Sequence, residues 1–413
     1  MDILLALLAL FNVISMAAVY SRRSFPDNSL PWVVFAFAVL ASELAWIWLP
    51  LQAVVALLFV IGGALDSALG WIALVVLVLS WPGLLRSLWL GLGSGSVVEA
   101  ALVNGLGADY RSRIPAAIRS RLRERITFQD WNHPLRMARP DVEVIHNIAY
   151  ASGGIRQRLD IYRPRVLPPQ GCPVILQIHG GGWIFGNKDD QALPLMYHLA
   201  SKGWICVAAN YRLSPSVGFP THLHDCKAAL AWIRAHGREY GMDPSFVAVT
   251  GGSAGGHLCA LMGLTANRKD LQPGHEDADT SVQACVPFYG VYDMLNRAGA
   301  RPSSDKFFEF LADRVLHASP TENPERWELA SPLSQVHADA PPFMVLHGAS
   351  DSLAPVVDAR AFVRRMREVS RSPVVYVELA GAEHGFEVMH SPRAEYSIDG
   401  VERFLEWARA TRG

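Results

Sequence analysis

The chain has 413 residues, with 37 Lys plus Arg against 38 Asp plus Glu and a formal net charge of -1. That balance excludes a polyanion binder, because nucleic-acid affinity is carried by clustered positive charge, and the length exceeds one ordinary domain. Charge is also unevenly spread, nearly absent from the first hundred residues and abundant beyond position 104, so two segments of different physical class are implied.

Ile3 to Tyr20 is an uncharged apolar run followed by Ser21-Arg22-Arg23. A cleaved signal peptide carries its basic residues before the apolar core, so this run reads as a retained membrane helix. From Pro31 to Trp81 only Glu43 and Asp66 are ionisable. One span takes about 20 apolar residues, so this stretch predicts two or three further helices, with breaks at Pro50 and between Gly62 and Ser67. Basic residues follow the first span (Arg22, Arg23) and the last (Arg86, then Arg111 to Arg125), and the positive-inside rule places both groups in the cytoplasm. An even number of crossings between them gives three spans and a cytoplasmic soluble part; four spans would reverse its side. Glu43 and Asp66 read as helix-end or loop residues, the alternative being functional carboxylates within the membrane.

Residues 87–140 read as a connector between a membrane region (1–86) and a soluble domain (141–413). It is glycine-rich at Gly91-Leu92-Gly93-Ser94-Gly95 and then arginine-rich. Ile114, Ile118, Leu122 and Ile126 recur every four residues, the spacing of one helix face. Such a helix lies on anionic headgroups or serves as a solvated linker, and the residues leave both open.

Beyond residue 142 the pattern changes. Apolar or alternating runs at Val142–Ile148, Leu159–Tyr162, Val174–Ile178, Trp204–Ala209, Phe246–Val249, Ala284–Tyr289, Phe343–Leu346 and Val374–Leu379 predict eight strands. Helical stretches such as Asp225–His236, Pro355–Val369 and Ala394–Ala410 separate the later ones, which predicts a mostly parallel sheet covered on both faces with an antiparallel start. Four of the five cysteines fall in apolar surroundings and none has zinc or Cys-x-x-Cys spacing, so they read as reduced core residues, which favours a cytoplasmic face.

Four motifs end four of these strands. Thr250-Gly251-Gly252-Ser253-Ala254-Gly255-Gly256 lies between a strand and a helix, the context in which Gly-x-Ser-x-Gly becomes a nucleophile elbow presenting Ser253 on a strained corner. His179-Gly180-Gly181-Gly182-Trp183 follows the third strand; its glycines let adjacent N–H groups point one way, so Gly181 and Gly182 with Ala254 form a candidate oxyanion hole. Asp351 and His384 end the seventh and eighth strands. A serine hydroxyl needs an imidazole to take its proton, and the imidazole needs a carboxylate to fix its tautomer. The order Ser253, Asp351, His384 is the one found in α/β-hydrolases.

From about residue 140 the chain resembles the hormone-sensitive-lipase-like carboxylesterases of the α/β-hydrolase superfamily, on the motifs above together with Tyr211-Arg212-Leu213, Pro215, Phe219-Pro220, Asp225, Trp232, Gly241, Asp243-Pro244 and His384-Gly385-Phe386. The resemblance implies structural roles for Tyr211, Arg212 and Asp225, with His179 and Gly180 part of the oxyanion-loop motif. The multi-span N-terminus resembles that of membrane-associated esterases of actinobacteria. One departure is Gly252, where the family usually has Asp; the formamidase and feruloyl-esterase relatives are closer here. The expected function is therefore a membrane-anchored serine esterase acting on short- to medium-chain acyl esters, the alternatives being an arylformamidase or acyltransferase with the same triad, or a non-catalytic binding module. Asp293 reads as a structural cap, and His222, His224 and His257 lack metal-ligand spacing, so no metal is expected. No phosphate-binding glycine loop occurs, so no nucleotide cofactor is expected. Residues 294–330, with Phe307, Phe308, Phe310 and Leu311, fall where this fold carries lid insertions.

Overall fold

The computed structural model describes residues 1–20, 31–302 and 306–412; Arg22 and Arg23 lie outside the described residues. Five helices open the chain: α1 (Asp2–Tyr20), α2 (Pro31–Glu43), α3 (Ala45–Ile61), α4 (Ala68–Leu92) and α5 (Ser94–Leu106). Two stretches among the described residues, Asp2–Tyr20 and Ala68–Leu106, are long and apolar enough to cross a membrane, and α2 with α3 forms a third candidate bent by 90°. The bend falls at Leu44 rather than at Pro50. Pro50 sits within α3, leaving only the Trp46 carbonyl without its i+4 donor, a local defect the helix tolerates. Asp66 lies in a 3-10 turn (Ala64–Asp66) and Glu43 ends α2.

A polar seam fastens these helices from within. Gln52 donates to Asn12 Oδ1 (3.0 Å), Asn12 donates to Ser80 Oγ (2.5 Å) and Trp81 Nε1 donates to Gln52 Oε1 (3.1 Å), joining α1, α3 and α4. Interhelical hydrogen bonds of this kind are how helices associate where no hydrophobic drive exists. Leu7, Leu57, Leu58, Ile61, Ile72, Leu79 and Trp89 all point outward. Such a continuous apolar exterior exceeds what soluble surfaces carry.

The connector is not one amphipathic helix. Pro115 splits it into α6 (Tyr110–Arg113) and α7 (Ala116–Arg119), with α8 (Phe128–Trp131) further on. Ile114 is buried, while Ile118 and Leu122 only rim the same cluster. Arg123 is held by Asp130 (2.8 Å), Glu395 (2.7 Å) and Asp399 (2.8 Å) and is largely buried, so it serves neither headgroups nor solvent; Arg111 pairs with Glu99 (2.7 Å) but stays half exposed.

The eight expected strands form one sheet: β1 (Val142–Ala149), β2 (Arg158–Pro164), β3 (Cys172–Ile178), β4 (Ile205–Ala209), β5 (Met242–Gly252), β6 (Ala284–Phe288), β7 (Phe343–Gly348) and β8 (Val374–Leu379). Their order is β1-β2-β4-β3-β5-β6-β7-β8; β2 runs antiparallel to β1 and β4, and the other pairs are parallel. This is the α/β-hydrolase sheet. The helices of this part are α9 (Leu193–Ser201), α10 (Thr221–His236), α11 (Ala254–Leu264), α12 (Lys306–Phe310), α13 (Pro324–Ala330), α14 (Val356–Val369) and α15 (Pro392–Ala410).

Side chains alternate along each strand, so β3 sends Val174 and Leu176 into one core and Ile175 into the other. The first core is closed by α10, α11 and α14. The second is closed by α9 and α15, and also by α5 through Val98, Leu102 and Leu106. All five cysteines are buried and free.

Candidate active site

β5 delivers Ser253 onto the first turn of α11 with φ 58° and ψ -120°, a region a side chain occupies only under constraint. Three contacts supply that constraint. The Ser253 N–H donates to the Phe288 carbonyl at 3.0 Å, and the His257 N–H donates to the Ser253 carbonyl at 2.9 Å. The glycine loop presses from the other side: a Cβ on Gly180 would stand 3.2 Å from Ser253 Cβ and 2.7 Å from the Gly252 oxygen.

The structure brings Asp351 and His384 together: His384 Nδ1 donates to Asp351 Oδ2 at 2.8 Å. The other carboxylate oxygen accepts from the N–H groups of Leu353 (2.9 Å) and Ala354 (2.7 Å), and His347 Nε2 stands 3.4 Å from Oδ2. Burial alone would push the Asp351 carboxyl up, but His384 and His347 hold it well below the usual carboxylate range. Among the described residues no protein hydrogen bond joins the Ser253 hydroxyl to His384 Nε2, and catalytic contacts of this kind are often long before substrate binds.

Gly181 (φ 111°) and Gly182 (φ 57°) take backbone conformations that a side chain would strain. Among the described residues the N–H groups of Gly181, Gly182 and Ala254 donate to no protein acceptor. His179 supports this loop from beneath. Its Nδ1 contacts the Gly180 oxygen at 2.7 Å, its ring stacks on Tyr211 at 4.3 Å, and burial lowers it to about 4, so it is a neutral spacer at neutral pH. Tyr211 donates to the His179 carbonyl at 3.1 Å, while Asp225 binds the Arg212 side chain (2.7 Å) and accepts from Gln157 (2.8 Å); all three act as braces. Asp293 accepts from the backbone of Leu295 and Arg297 and pairs with the Arg297 guanidinium, so it is structural, but it braces a turn rather than capping a helix. His257 is likewise structural, bridging Trp183 Nε1 (3.2 Å) and the Ala330 carbonyl (2.7 Å).

Several residues at the site carry no sequence motif. Tyr289 lies against His384 with ring centroids 4.4 Å apart and donates its hydroxyl to Glu387. Tyr289 also accounts for Gly252: a Cβ there would stand 2.7 Å from the tyrosine oxygen, so no aspartate fits in this chain. Glu387 is buried, which raises it to about 7. Glu383, beside the motif histidine, accepts from the N–H groups of Ser352 (2.6 Å) and His384 (2.9 Å).

Burial first, and the Asp351 charge next, raise Glu383 from 4.5 to about 8. Below pH 4.5 the folded and unfolded states both hold that proton; between 4.5 and about 8 only the folded state does, so stability is lost as pH rises through this window. Glu383→Gln keeps both accepted bonds and removes the titration. We expect its unfolding midpoint to fall less than that of wild type between pH 5 and 8.5, the wild type losing on the order of 1 kcal/mol per pH unit. Parallel curves in thermal unfolding at a series of pH values would refute the assignment.

The segment expected as a lid is half core. Leu311, Val315 and Leu316 are buried on a π-helical turn, whereas the Phe310 ring reaches within 3.9 Å of a Cβ built on Gly182. Among the described residues one group of possible metal ligands occurs, His198, Asp399 and Glu402, but Glu402 holds His198 at 2.7 Å and Asp399 holds Arg123.

The BD-FAE family model matches residues 159–366, a span that contains Ser253 and Asp351 and stops short of His384. The chain is 45% identical over 348 residues to the probable carboxylic ester hydrolase LipM of Mycobacterium tuberculosis, over 84% of this chain and 79% of that one. It is 39% identical over 320 residues to Esterase LipQ of the same organism, over 77% and 75% of the two chains. Propionate-bound esterase 2 of Thermogutta terrifontis superposes with a TM-score of 0.52 at 28% identity, over 63% of this chain and 92% of that one.

Proposed function

The chain is a carboxylic ester hydrolase of the BD-FAE family within the hormone-sensitive-lipase-like α/β-hydrolases, and we propose that Ser253, His384 and Asp351 are its catalytic triad. The observation that carries this reading is the 2.8 Å bond from His384 Nδ1 to a buried Asp351, at the same sheet edge as the strained Ser253 corner. Asp351 fixes the tautomer that leaves Nε2 free to accept a proton. Ser253 Oγ attacks the ester carbonyl as His384 Nε2 takes its proton, and the tetrahedral oxygen is received by the N–H groups of Gly181, Gly182 and Ala254. His384 returns the proton to the leaving alcohol. Water, deprotonated by the same imidazole, then releases the acid from the acyl-serine. The N-terminal helices anchor the enzyme in a membrane, and the acyl group is short to medium in length.

The test is hydrolysis of p-nitrophenyl esters from acetate to palmitate by the membrane fraction, with a fluorophosphonate probe mapped by mass spectrometry. Activity that sediments with membranes, peaks within the short-to-medium range and labels Ser253 is the expected result. A labelled but ester-inert protein would redirect the assay to arylformamides and acyl acceptors. A protein both inert and unlabelled would end the triad reading.

A further inference from the structure

Helix α2 belongs to the apolar N-terminal region yet reaches the histidine of the candidate triad. Phe35 meets His384 edge-on, with ring centroids 6.1 Å apart and planes at 71°, and a Cβ on Gly385 would stand 3.6 Å from the Phe35 ring. Phe37, two residues on and so about 200° around the helix, faces the other way and packs on Phe11 of α1 at 5.2 Å. One face of α2 is therefore bundle and the other is active site.

The C-terminal end of α2 is anchored just as closely. Glu43 accepts from Ser391 Oγ at 2.8 Å and pairs with Arg393, both at the start of α15. The loop 380–391 that carries His384 is thus enclosed by N-terminal elements: Phe35 above the ring, Leu90 against Gly381, and the Pro134 carbonyl accepting from the His390 N–H. Across Ser253, on the glycine-loop side, the walls are apolar too. Ile184 and Phe185 are 38% and 44% exposed, and Phe310 closes on Gly182.

We propose that α2 is a wall of the substrate cleft and that Phe35 seats the acyl chain of the ester, so that the substrate is an amphiphilic ester with a medium-length hydrocarbon chain. The half-buried ring of Phe35 stands at the reacting histidine and offers no polar group. The helix that holds it continues, past the bend, into the outward apolar side chains of α3, Leu57, Leu58 and Ile61. A small polar ester gains nothing from such a wall. This inference rests on Ser253 being the nucleophile.

The experiment uses the full chain in nanodiscs and two fluorophosphonates, one carrying an ethyl and one an octyl group on phosphorus in place of the acyl chain. Labelling rates of Ser253 are compared for wild type, Phe35→Ala, Phe35→Leu and Phe37→Ala. Wild type should prefer the octyl probe. Phe35→Ala should lower the octyl-to-ethyl ratio roughly fivefold, the loss of one aromatic packing contact, with Phe35→Leu restoring most of it and Phe37→Ala keeping the wild-type ratio. Equal ratios for wild type and Phe35→Ala, with Ser253 labelled in both, would overturn the role of α2 and leave the nucleophile standing. If neither probe labels wild-type Ser253, the triad reading falls and this inference with it.

Discussion

Ser253→Ala should lower kcat for p-nitrophenyl butyrate by at least about ten-thousandfold, and Asp351→Asn by about a thousandfold or more. Without the hydroxyl no acyl-enzyme forms, and only the preorganised N–H groups at Gly181, Gly182 and Ala254 still favour the tetrahedral state. The amide introduced by Asp351→Asn lacks the charge that steadies an imidazolium, and its N–H₂ would drive His384 into the wrong tautomer. Because His384 and His347 hold the Asp351 carboxyl so low, it stays ionised across the working range, and the acid limb of the rate profile cannot be its titration. Ser253→Ala/His384→Ala should be no slower than Ser253→Ala alone, since the residues act as a unit. More than about 1% of wild-type kcat surviving in Ser253→Ala would place the nucleophile elsewhere; active-site titration beforehand excludes contaminating enzyme.

The strands were legible because each is a short apolar run between breakers, and the motifs because hydrolytic chemistry constrains spacing near the nucleophile. What the sequence hid depends on distant partners. Gly252 looks like a loss of the family's aspartate until Tyr289 of the neighbouring chain segment is seen in its place. The run Gly91-Leu92-Gly93-Ser94-Gly95 has the composition of a flexible linker, yet Gly91 and Gly95 lie four apart on one face against Pro392 and Tyr396 of α15. Small residues at that spacing permit close helix packing, and composition alone does not separate that use from flexibility. The four-residue spacing of Ile114, Ile118, Leu122 and Ile126 hides its breaks for a similar reason: Pro115 divides the segment, and Arg123 within it finds Asp399, 276 residues away in sequence. Buried acids such as Glu383 and Glu387 show no local pattern, because their protonation follows from burial rather than spacing.

Breaking the contact between Glu43 and Arg393 should give the largest loss of stability of any single polar substitution at the junction between the apolar helices and the catalytic unit. Both side chains are buried, at 1% and 0% exposure, so removing either leaves an uncompensated charge. Arg393→Met and Glu43→Leu should each cost about 3–5 kcal/mol, lowering the unfolding midpoint by roughly 5 °C in a chain of this size. Glu43→Leu/Arg393→Met should lose less than either single change, because two apolar side chains leave no charge stranded. Thermal unfolding of the four proteins in one detergent reads this directly. Single variants within about 2 °C of wild type would show a solvated pair and would leave α2 without the anchor that holds Phe35 over His384. The expected non-additivity has a functional counterpart. Glu43 stands eight residues from Phe35, about 12 Å along the helix, so freeing that end lets α2 tilt away from the cleft. Arg393→Met should then shift the octyl-to-ethyl labelling ratio in the same direction as Phe35→Ala, although Arg393 lies outside the wall that Phe35 forms.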